Sequence, residues 1–539
     1  MLLATAAEMR EIDRIAIEEM GVPGIELMER AGAEVARAIG ESFGPLGGRR
    51  VVIVVGRGNN GGDGCVVARR LLEAGAAPVI VLIAERGEVR GDAATALARA
   101  EAAGVPVHAA GALAAALADA QIAVDALLGT GASGAPRGEV AAAIETLAAF
   151  RGPVVAIDVP SGVDATTGAT PGPAVRATHT ITLALAKPGL FIHPGHAHAG
   201  AIRVVPIGIP DAAVARIAPR ASLYDAGALR LPARAPDAHK GQAGRVLVAG
   251  ASPGLTGSVF LAGMAALRAG AGVATLAVPR GLQPILASKA VELMTFGLPE
   301  TKSHTLGTPA AAALLELAEG FDVIALGPGL SRGAEARAFV RAVVEGWRGP
   351  LVIDADALWV LAKGLASLAK AGGEAGADSA AREAGETATR DPSARHVDIV
   401  VTPHVGEAER LSGEPRDAIE ADRLAFAQRS APAMAGTFLL KGNPTIVADR
   451  DGRATLNTTG NRGMATAGAG DVLTGVIAGL LAQGMSGADA ARAGACLHGR
   501  AGDLAAATVG WRSLVASDLL ARLPNAVREA DTRAGQGDA

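Results

Sequence analysis

Short apolar runs that end in glycine loops and give way to helical periodicity recur through both halves of this chain, and they leave it few folds. VVIVVG (51–56) is continuous in Val and Ile, as a parallel strand buried on both faces must be. It runs into GRGNNGGDG (56–64) before a helical pattern begins at Cys65. In the second half, the strand pattern at 246–249 leads through GASPGLTGS into SVFLAGMAALRAGAG. Parallel strands need long crossovers, usually helices, so this alternation predicts doubly wound α/β units. A chain of 539 residues exceeds what one core organises, so more than one unit is expected.

Residues 1–48 read as two helices, with Ile12, Ile15, Met28, Ala31 and Val35 at helical spacing. Strand patterns follow at 79–83, 122–131, 154–162 and 179–185, and AIRVV closes the first sheet. Residues 211–239 are rich in Ala, Pro and Arg and show no alternation, which places a boundary near Asp225. The expected organisation is a first domain over 1–215, a linker over 216–225, a second domain over 226–529 and a disordered tail over 530–539. Strand patterns in the second domain are VATLAV, 322–327, 350–356, 397–404, TFLLKG and PTIVAD. Between 362 and 395 the hydrophobic period disappears into Ala, Gly and charge, which reads as a flexible surface insertion without a catalytic part.

Composition excludes several functions. Fifty basic against 54 acidic residues give a formal charge of −4, with no basic field for nucleic acid, and aromatics at 2% leave little for base stacking. No apolar run is long enough to span a bilayer, and MLLATAAEMREIDR lacks the basic n-region of a secretory leader. Cys65 and Cys496 follow no metal-ligand spacing and read as small buried residues. The expectation is a reduced, cytoplasmic protein.

Five polar residues stand out in the first half. Asn59, Asn60 and Asp63 interrupt the glycine loop, and Asp125 and Asp158 end apolar strands on the edge where open α/β sheets bind ligands. Asn60, Asp125, Ser161 and nearby carbonyls can surround a hard cation; one carboxylate among neutral oxygens suits a monovalent ion better than Ca²⁺. In the second half GMATAGAGDVLTG (463–475) places small residues before Asp471 and an apolar helix. Free amides at a helix start cradle phosphate, and a carboxylate at the lip can take a proton from a hydroxyl; the simpler reading makes Asp471 a helix cap. GPGLS (327–331), TPHVGE (402–407) and KGNPT (441–445) end other strands, and no P-loop sequence is present.

GNNGGDG, VDALLGTG and AIDVPSGVDATTG in this order, with LMERAG before them and the KPG turn at Lys187, resemble the epimerase domain of NAD(P)H-hydrate repair enzymes. The resemblance covers about residues 8–212. It implies that Asn59, Asn60, Gly61, Gly62 and Asp63, with Gly129, Thr130, Gly131, Ala132, Ser133, Gly134 and Ala135, hold the hydrated dinucleotide. It further implies that Asn60, Asp125 and Ser161 bind K⁺ and that Asp158 faces the reacting ring. HKGQAGRVLVAGAS, GPGL, DADAL, TPHVGEAERL, KGNPTIVAD and NRGMATAGAGDVLTGVIAGLLAQG resemble the ADP-dependent NAD(P)H-hydrate dehydratase over about 226–528. That implies a Rossmann-like three-layer domain followed by a ribokinase-like α/β domain. Ala243, Gly329 and His404 would contact the hydrate. Lys441, Gly442, Asn443, Pro444 and Thr445, with Asn461, Thr466, Gly468, Ala469 and Gly470, would hold ADP with Mg²⁺. Asp471 would touch the reacting hydroxyl. Fusions of this kind imply a homo-oligomer whose partners are small molecules, with neither nucleic acid nor membrane.

Trp359 stands where this family commonly has Asn, Ser331 where Gly is usual, and Arg462 where Pro is frequent. Competing functions are an ATP-dependent small-molecule kinase on the second fold and a nucleotide-binding scaffold without catalysis. The first has no need of the N-terminal half, and the second has no need of Asn60, Asp125 and Asp158 together.

Overall fold

The computed structural model describes residues 1–224, 226–372 and 398–537. The chain forms two compact units, Met1–Ser222 and Leu223–Ala539.

The first unit is built on seven parallel strands: β1 (Arg50–Val55), β2 (Ala77–Leu82), β3 (Val107–Ala109), β4 (Ile122–Ala126), β5 (Val154–Ile157), β6 (His179–Leu183) and β7 (Ala201–Val205). Their order is β3-β2-β1-β4-β5-β6-β7, with the reversal between β1 and β4. Alternation along β1 splits the core in two. Val51, Ile53 and Val55 pack with Met28, Val35, Val66 and Leu97, while Val52 and Val54 pack with Leu113, Ile144 and Leu147. Helices therefore cover both faces, which makes three layers. The reversal opens a crevice between the loops that follow β1 and β4. Glycine is required there because a Cβ on Gly56 would overlap the Leu127 carbonyl.

The N-terminus departs from two plain helices. Leu2–Leu3 pairs antiparallel with Ala221 and Ser222, and Ala6–Arg14 passes into a π turn at Ile15–Glu19 before Gly24–Phe43 begins. Residues 211–223 are likewise ordered, as the helix Asp211–Ile217 and the strand Ala221–Leu223. Elements this short give periodicity nothing to register.

The sheet of the second unit contains β8 (Arg245–Ala249), β9 (Val273–Pro279), β10 (Met294–Leu298), β11 (Val323–Leu326), β12 (Leu351–Ile353), β13 (Ile399–Val401), β14 (Thr437–Leu440), β15 (Thr445–Ala448) and β16 (Ala454–Asn457). The order is β16-β15-β14-β13-β12-β11-β8-β9-β10, parallel except for the two pairings of β15. Val246 and Val248 join the core beneath the helices Thr256–Arg268, Ala469–Ala482 and Gly487–Val509, and Leu247 and Ala249 are equally buried on the other face. The polar and glycine content of MTFGL and ATLN hid β10 and β16 from a reading that sought continuous apolar runs.

Two expectations are corrected. The span 362–395 begins as ordered structure: Leu365–Gly372 is helical with Leu368 fully buried, and Lys363 N donates to Arg410 O; residues 373–395 lie outside the described residues. The expected disordered tail from 530 continues the helix Ala516–Gly537, with Ala530 buried.

Ala469–Ala482 is buried from Val472 to Leu481 on all sides, beyond the single apolar face its spacing predicted. Gly475 and Gly479 sit one turn apart against Thr256–Arg268; a Cβ on Gly475 would overlap the Ala262 carbonyl, and one on Gly479 would lie 2.6 Å from the Ala266 carbonyl. Gly475→Ala should therefore destabilise the second unit by about 1–3 kcal/mol through overpacking, despite alanine's better helix propensity. Urea denaturation of the intact chain measures it, and an unchanged or raised midpoint refutes the packing argument.

Candidate active sites

In the first unit, Gly58 caps the helix Asn59–Glu73, so the first amides of that helix face the crevice with Asn59 exposed and Gly61, Gly62 and Asp63 buried. Asn60 Nδ2 donates to Leu128 O (2.8 Å), which ties the loop after β1 to the loop after β4. Asn60 Oδ1 is buried and has no hydrogen-bond partner. Close by, Asp125 is wholly buried at the end of β4 and accepts from Ser161 N (2.8 Å), Ser161 Oγ (2.6 Å) and Leu127 N (3.3 Å). Burial pushes its pKa up to about 6, against the lowering effect of the Ser161 bonds. Leu128 N in turn donates to Ser161 Oγ (2.9 Å). Asn60, Asp125 and Ser161 are thus linked in one hydrogen-bond chain through the Leu128 peptide. Residues 129–135 run from half-buried at Gly129 and Thr130 to exposed at 133–135, with a turn in which Ala132 N donates to Gly129 O (3.0 Å).

Asp158 follows β5 with φ +66°, a backbone conformation a non-glycine residue adopts at some cost. Its carboxylate accepts from Thr130 N (3.3 Å), Thr130 Oγ1, Thr182 Oγ1 (3.2 Å) and Leu183 N (3.2 Å), and it pairs with the Lys187 ammonium. Lys187 is 1% exposed, and its remaining bonds go to Leu183 O (2.8 Å) and Thr182 Oγ1 (3.2 Å). Burial alone would raise the Asp158 pKa, but the Lys187 charge and these donors hold it below the ordinary carboxylate range. Two further carboxyls face the pair. Burial, reinforced by Asp158 and Asp13, raises Asp63 well above its usual value, and burial raises Asp13 to about 6. Within this one cluster, Asp158 is therefore held toward its ionised form and Asp63 pushed toward its protonated form.

In the second unit the sheet order reverses between β8 and β11, where Ala251 N donates to Pro328 O (3.0 Å) and Ser252 Oγ to Gly329 O (2.8 Å). Asp471 lies in the first turn of Ala469–Ala482, behind Gly468 at φ +84°, and is nearly buried. Burial first and the Asp354 charge second push its pKa up to about 6, opposed by a Ser258 hydrogen bond and by Lys441. Lys441 Nζ pairs with Asp354 Oδ1 at 2.8 Å and with Glu407 Oε2 at 3.4 Å. His404 caps the helix Val405–Ser412: its Nδ1 accepts from Glu407 N (3.2 Å), while Glu407 accepts from His404 N (2.9 Å). Burial, then the Lys441 charge, lowers the His404 pKa, which keeps the ring neutral.

Buried side chains hold these loops from beneath. Arg423 donates to the carbonyls of Asn443 (3.1 Å), Lys441 (3.3 Å) and Pro444 (3.1 Å), and a Cβ on Gly442 would overlap its guanidinium. His498, lowered to about 4 by burial, bonds Ala469 O at 2.9 Å; because a carbonyl only accepts, Nε2 carries the proton. Asn461 donates to Asp503 Oδ1 (3.0 Å) and accepts from Gly463 N (3.0 Å). Ala469 N donates to Thr466 O (3.4 Å), which closes the turn before Asp471, and Thr445 opens β15 at the end of the 441–445 loop.

Gly329, His404, 441–445, 466–470 and Asp471 thus share the carboxyl edge of the sheet. Ala243 does not. It precedes β8 on the opposite edge, where a Cβ on its neighbour Gly244 would overlap the carbonyl of Ala482, the last residue of the helix that Asp471 begins. Fourteen helical residues, about 20 Å, separate the two ends. The HKGQAG motif belongs to packing at that far end.

The family model described as YjeF-related protein N-terminus matches residues 24–189, and the one described as NAD(P)H-hydrate dehydratase matches 246–372 and 383–525. A bifunctional NAD(P)H-hydrate repair enzyme of Moorella thermoacetica is 44% identical over 98% of this chain and 97% of its own length. The protein so named from Escherichia coli K12 is 36% identical over 97% and 93%. The chain belongs to the bifunctional NAD(P)H-hydrate repair enzymes. Its first unit is the epimerase domain, with a Rossmann-like three-layer fold, and its second is the dehydratase domain, with a ribokinase-like fold. A Bacillus subtilis structure titled ADP/ATP-dependent NAD(P)H-hydrate dehydratase, co-crystallised with ATP/Mg²⁺, is 26% identical and covers 57% of this chain and 98% of its own, at a TM-score of 0.46.

Sequence reasoning missed Lys187 as the counter-charge of Asp158, Asp13 as its neighbour, and Asp354, Glu407 and Arg423 in the dehydratase. Lys187 and Asp354 were visible only as parts of quoted motifs, and nothing in the sequence signals Arg423. The unusual residues fall in two places. Ser331 adopts φ +81°, where glycine costs less, and Trp359 lies between the guanidinium groups of Arg332 (4.0 Å) and Arg410 (3.2 Å). Arg462 lies 3.8 Å over the Trp511 ring.

The neutral Asp63 makes a stability prediction. Its folded-state pKa lies above the unfolded value, so the folded chain binds the extra proton and stability falls as pH rises from about 4 toward the folded pKa. Asp63→Asn should flatten that decline, gaining on the parent chain as pH increases. Melting temperatures of both proteins between pH 5 and 8.5 test this, and parallel curves refute it.

Proposed function

We propose that the epimerase unit interconverts the R and S forms of NADH- and NADPH-hydrate, and that the dehydratase unit returns the S form to NAD(P)H at the expense of ADP, releasing AMP and phosphate. The observation that carries the second half is Asp471, a nearly buried carboxyl raised to about 6 beside the amides of 468–470. A carboxylate near the working pH takes a hydroxyl proton well. Asp471 removes the proton of the C6 hydroxyl, and the oxygen attacks the terminal phosphorus of ADP as AMP departs. Hydroxide leaves poorly, whereas the phosphate ester leaves readily: the ring nitrogen expels it, and loss of the C5 proton restores the double bond. Lys441 and the 468–470 amides face the charge that builds on the transferred group. Residues 441–445, Asn461 and Thr466 frame the nucleotide, and Gly329 and His404 border the hydrate. Mg²⁺ is the counter-ion such a diphosphate brings with it.

In the epimerase unit, Asn59–Asp63 and 129–135 border the dinucleotide, with the amides that open the helix Asn59–Glu73 toward its phosphates. Asp158, held ionised by Lys187, takes the C6 hydroxyl proton as the C6–N1 bond breaks to give the ring-opened aldehyde, whose nitrogen picks up a proton. When the nitrogen loses it and adds back to the opposite face of the carbonyl, the C6–N1 bond re-forms, the oxygen is reprotonated and the centre is inverted. Asn60, Asp125 and Ser161 would hold K⁺. The unpartnered Asn60 Oδ1, joined through the Leu128 peptide to Ser161 and so to the Asp125 carboxylate, is an oxygen that such an ion would satisfy, and the charge of the ion would favour anion binding in the loop above.

The test supplies mixed R and S hydrates with ADP and follows the return of reduced-nicotinamide absorbance. The intact chain should convert both forms completely. Asp471→Asn should abolish recovery, and Asp158→Asn should slow only the R fraction, down to its spontaneous inversion. Replacing K⁺ by Li⁺ should slow that same fraction. Normal turnover by Asp471→Asn defeats the dehydratase reading, and an R fraction indifferent to Asp158→Asn defeats the epimerase reading.

A further inference from the structure

One buried carboxylate at the centre of the dehydratase site was given no chemical role above. Asp354, at the carboxyl end of β12, is 1% exposed. It accepts from Lys441 Nζ (2.8 Å) and Thr474 Oγ1 (2.7 Å), and the Thr402 hydroxyl bonds it from the loop after β13. Thr474 is one turn past Asp471 on the same helix. A Cβ placed on Gly470 would lie 3.5 Å from both Asp354 Oδ2 and Lys441 Nζ, so this ion pair sits against the turn whose amides face the proposed phosphate. Three elements carrying proposed nucleotide and catalytic groups therefore meet at one carboxylate.

We propose that Asp354 is a positioning residue of the dehydratase: it fixes the Lys441 ammonium against the first turn of the helix that bears Asp471, so that base and phosphate-facing cation keep a set separation. Lys441 has a flexible four-carbon stem, and an unanchored ammonium would sample many rotamers. Asp354 and Thr474 remove that freedom on one side and Glu407 on the other. The inference rests on the dehydratase reading given above.

The arrangement also sets the charge around Asp471. Asp354 and Asp356 after β12 push its pKa up, and Lys441 and the Ser258 bond from Thr256–Arg268 push it down. Glu407 and neutral His404 face Lys441 from Val405–Ser412, and neutral His498 lies behind Ala469 on Gly487–Val509. Removing the Asp354 charge should therefore lower the Asp471 pKa, and removing Lys441 should raise it.

Asp354→Asn and Lys441→Met in the full chain, assayed on S-hydrate with ADP across pH, test the inference. For Asp354→Asn we expect kcat to fall on the order of 100-fold with little change in the hydrate KM, because misplacement costs rate rather than binding. The acidic limb of kcat/KM should move down by about one pH unit, and in Lys441→Met it should move up. The double variant should be no slower than the slower single variant, since Asp354 acts through Lys441. A wild-type kcat in Asp354→Asn, an unmoved acidic limb, or full additivity overturns the inference. If Asp354→Asn does not fold, Thr474→Val decides: a loss of about tenfold in kcat supports it and no loss overturns it. An active Asp471→Asn enzyme would defeat the reading of the site, whereas a normal Asp354→Asn enzyme beside a dead Asp471→Asn enzyme defeats this inference alone.

Discussion

Each unit is organised around a lysine–aspartate pair at the carboxyl edge of its sheet, the fully buried Lys187 with Asp158 and the partly buried Lys441 with Asp354. Such pairs are expensive to bury and persist only when hydrogen bonds satisfy the remaining oxygens and protons. Both pairs meet that condition with threonines and backbone groups: Thr130, Thr182 and Leu183 around the first, Thr402 and Thr474 around the second. The donors come from separate loops, so satisfying the charge locks those loops into one geometry. The glycines that allow close backbone approach at Gly56 and Gly475, and the strained conformation of Asp158, make sense as consequences of that locking.

The architecture was legible because buried parallel strands must be continuous apolar runs, and VVIVVG and its counterparts announce themselves. The Asp471 turn was legible for a related reason, since small residues before a helix have few purposes besides close approach and amide exposure. Short strands with polar residues, such as β16 at ATLN, gave no comparable signal. The charge partners were hidden for a different reason: pairing between Lys187 and Asp158, or Lys441 and Asp354, is a product of topology, and a solvated lysine looks the same in sequence as a buried one. Ala243 shows the converse. A motif adjacent to a strand was credited to the site, yet β8 carries its glycine neighbour to the edge opposite Asp471.

The span 362–395 illustrates the limits of composition. Its Ala, Gly and charge content reads as surface, but Leu365–Gly372 presents Leu368 to the interior, because one correctly placed leucine is enough to dock a two-turn helix. The helix Ala516–Gly537 carries the same lesson, since one small residue, Ala530, packs where composition suggested a free tail.

The two sites tune their carboxyls in opposite directions with the same means. Burial raises every carboxyl concerned, and what differs is the distance to a cation. Asp158 touches Lys187 directly and is held toward its ionised form, while Asp63 feels Asp158 more than Lys187 and is pushed toward its protonated form. In the second unit Asp354 takes the direct contact with Lys441, and Asp471 sits one position removed, at about 6. A group that must accept a proton and give it up again gains from a pKa near the working pH, and a group that must hold a lysine in place gains from a fixed charge. In the second unit Asp471 and Asp354 divide these two tasks, whereas in the first unit Asp158 both pairs with the lysine and faces the proposed proton transfer, so its ionised form is the one available to act as base.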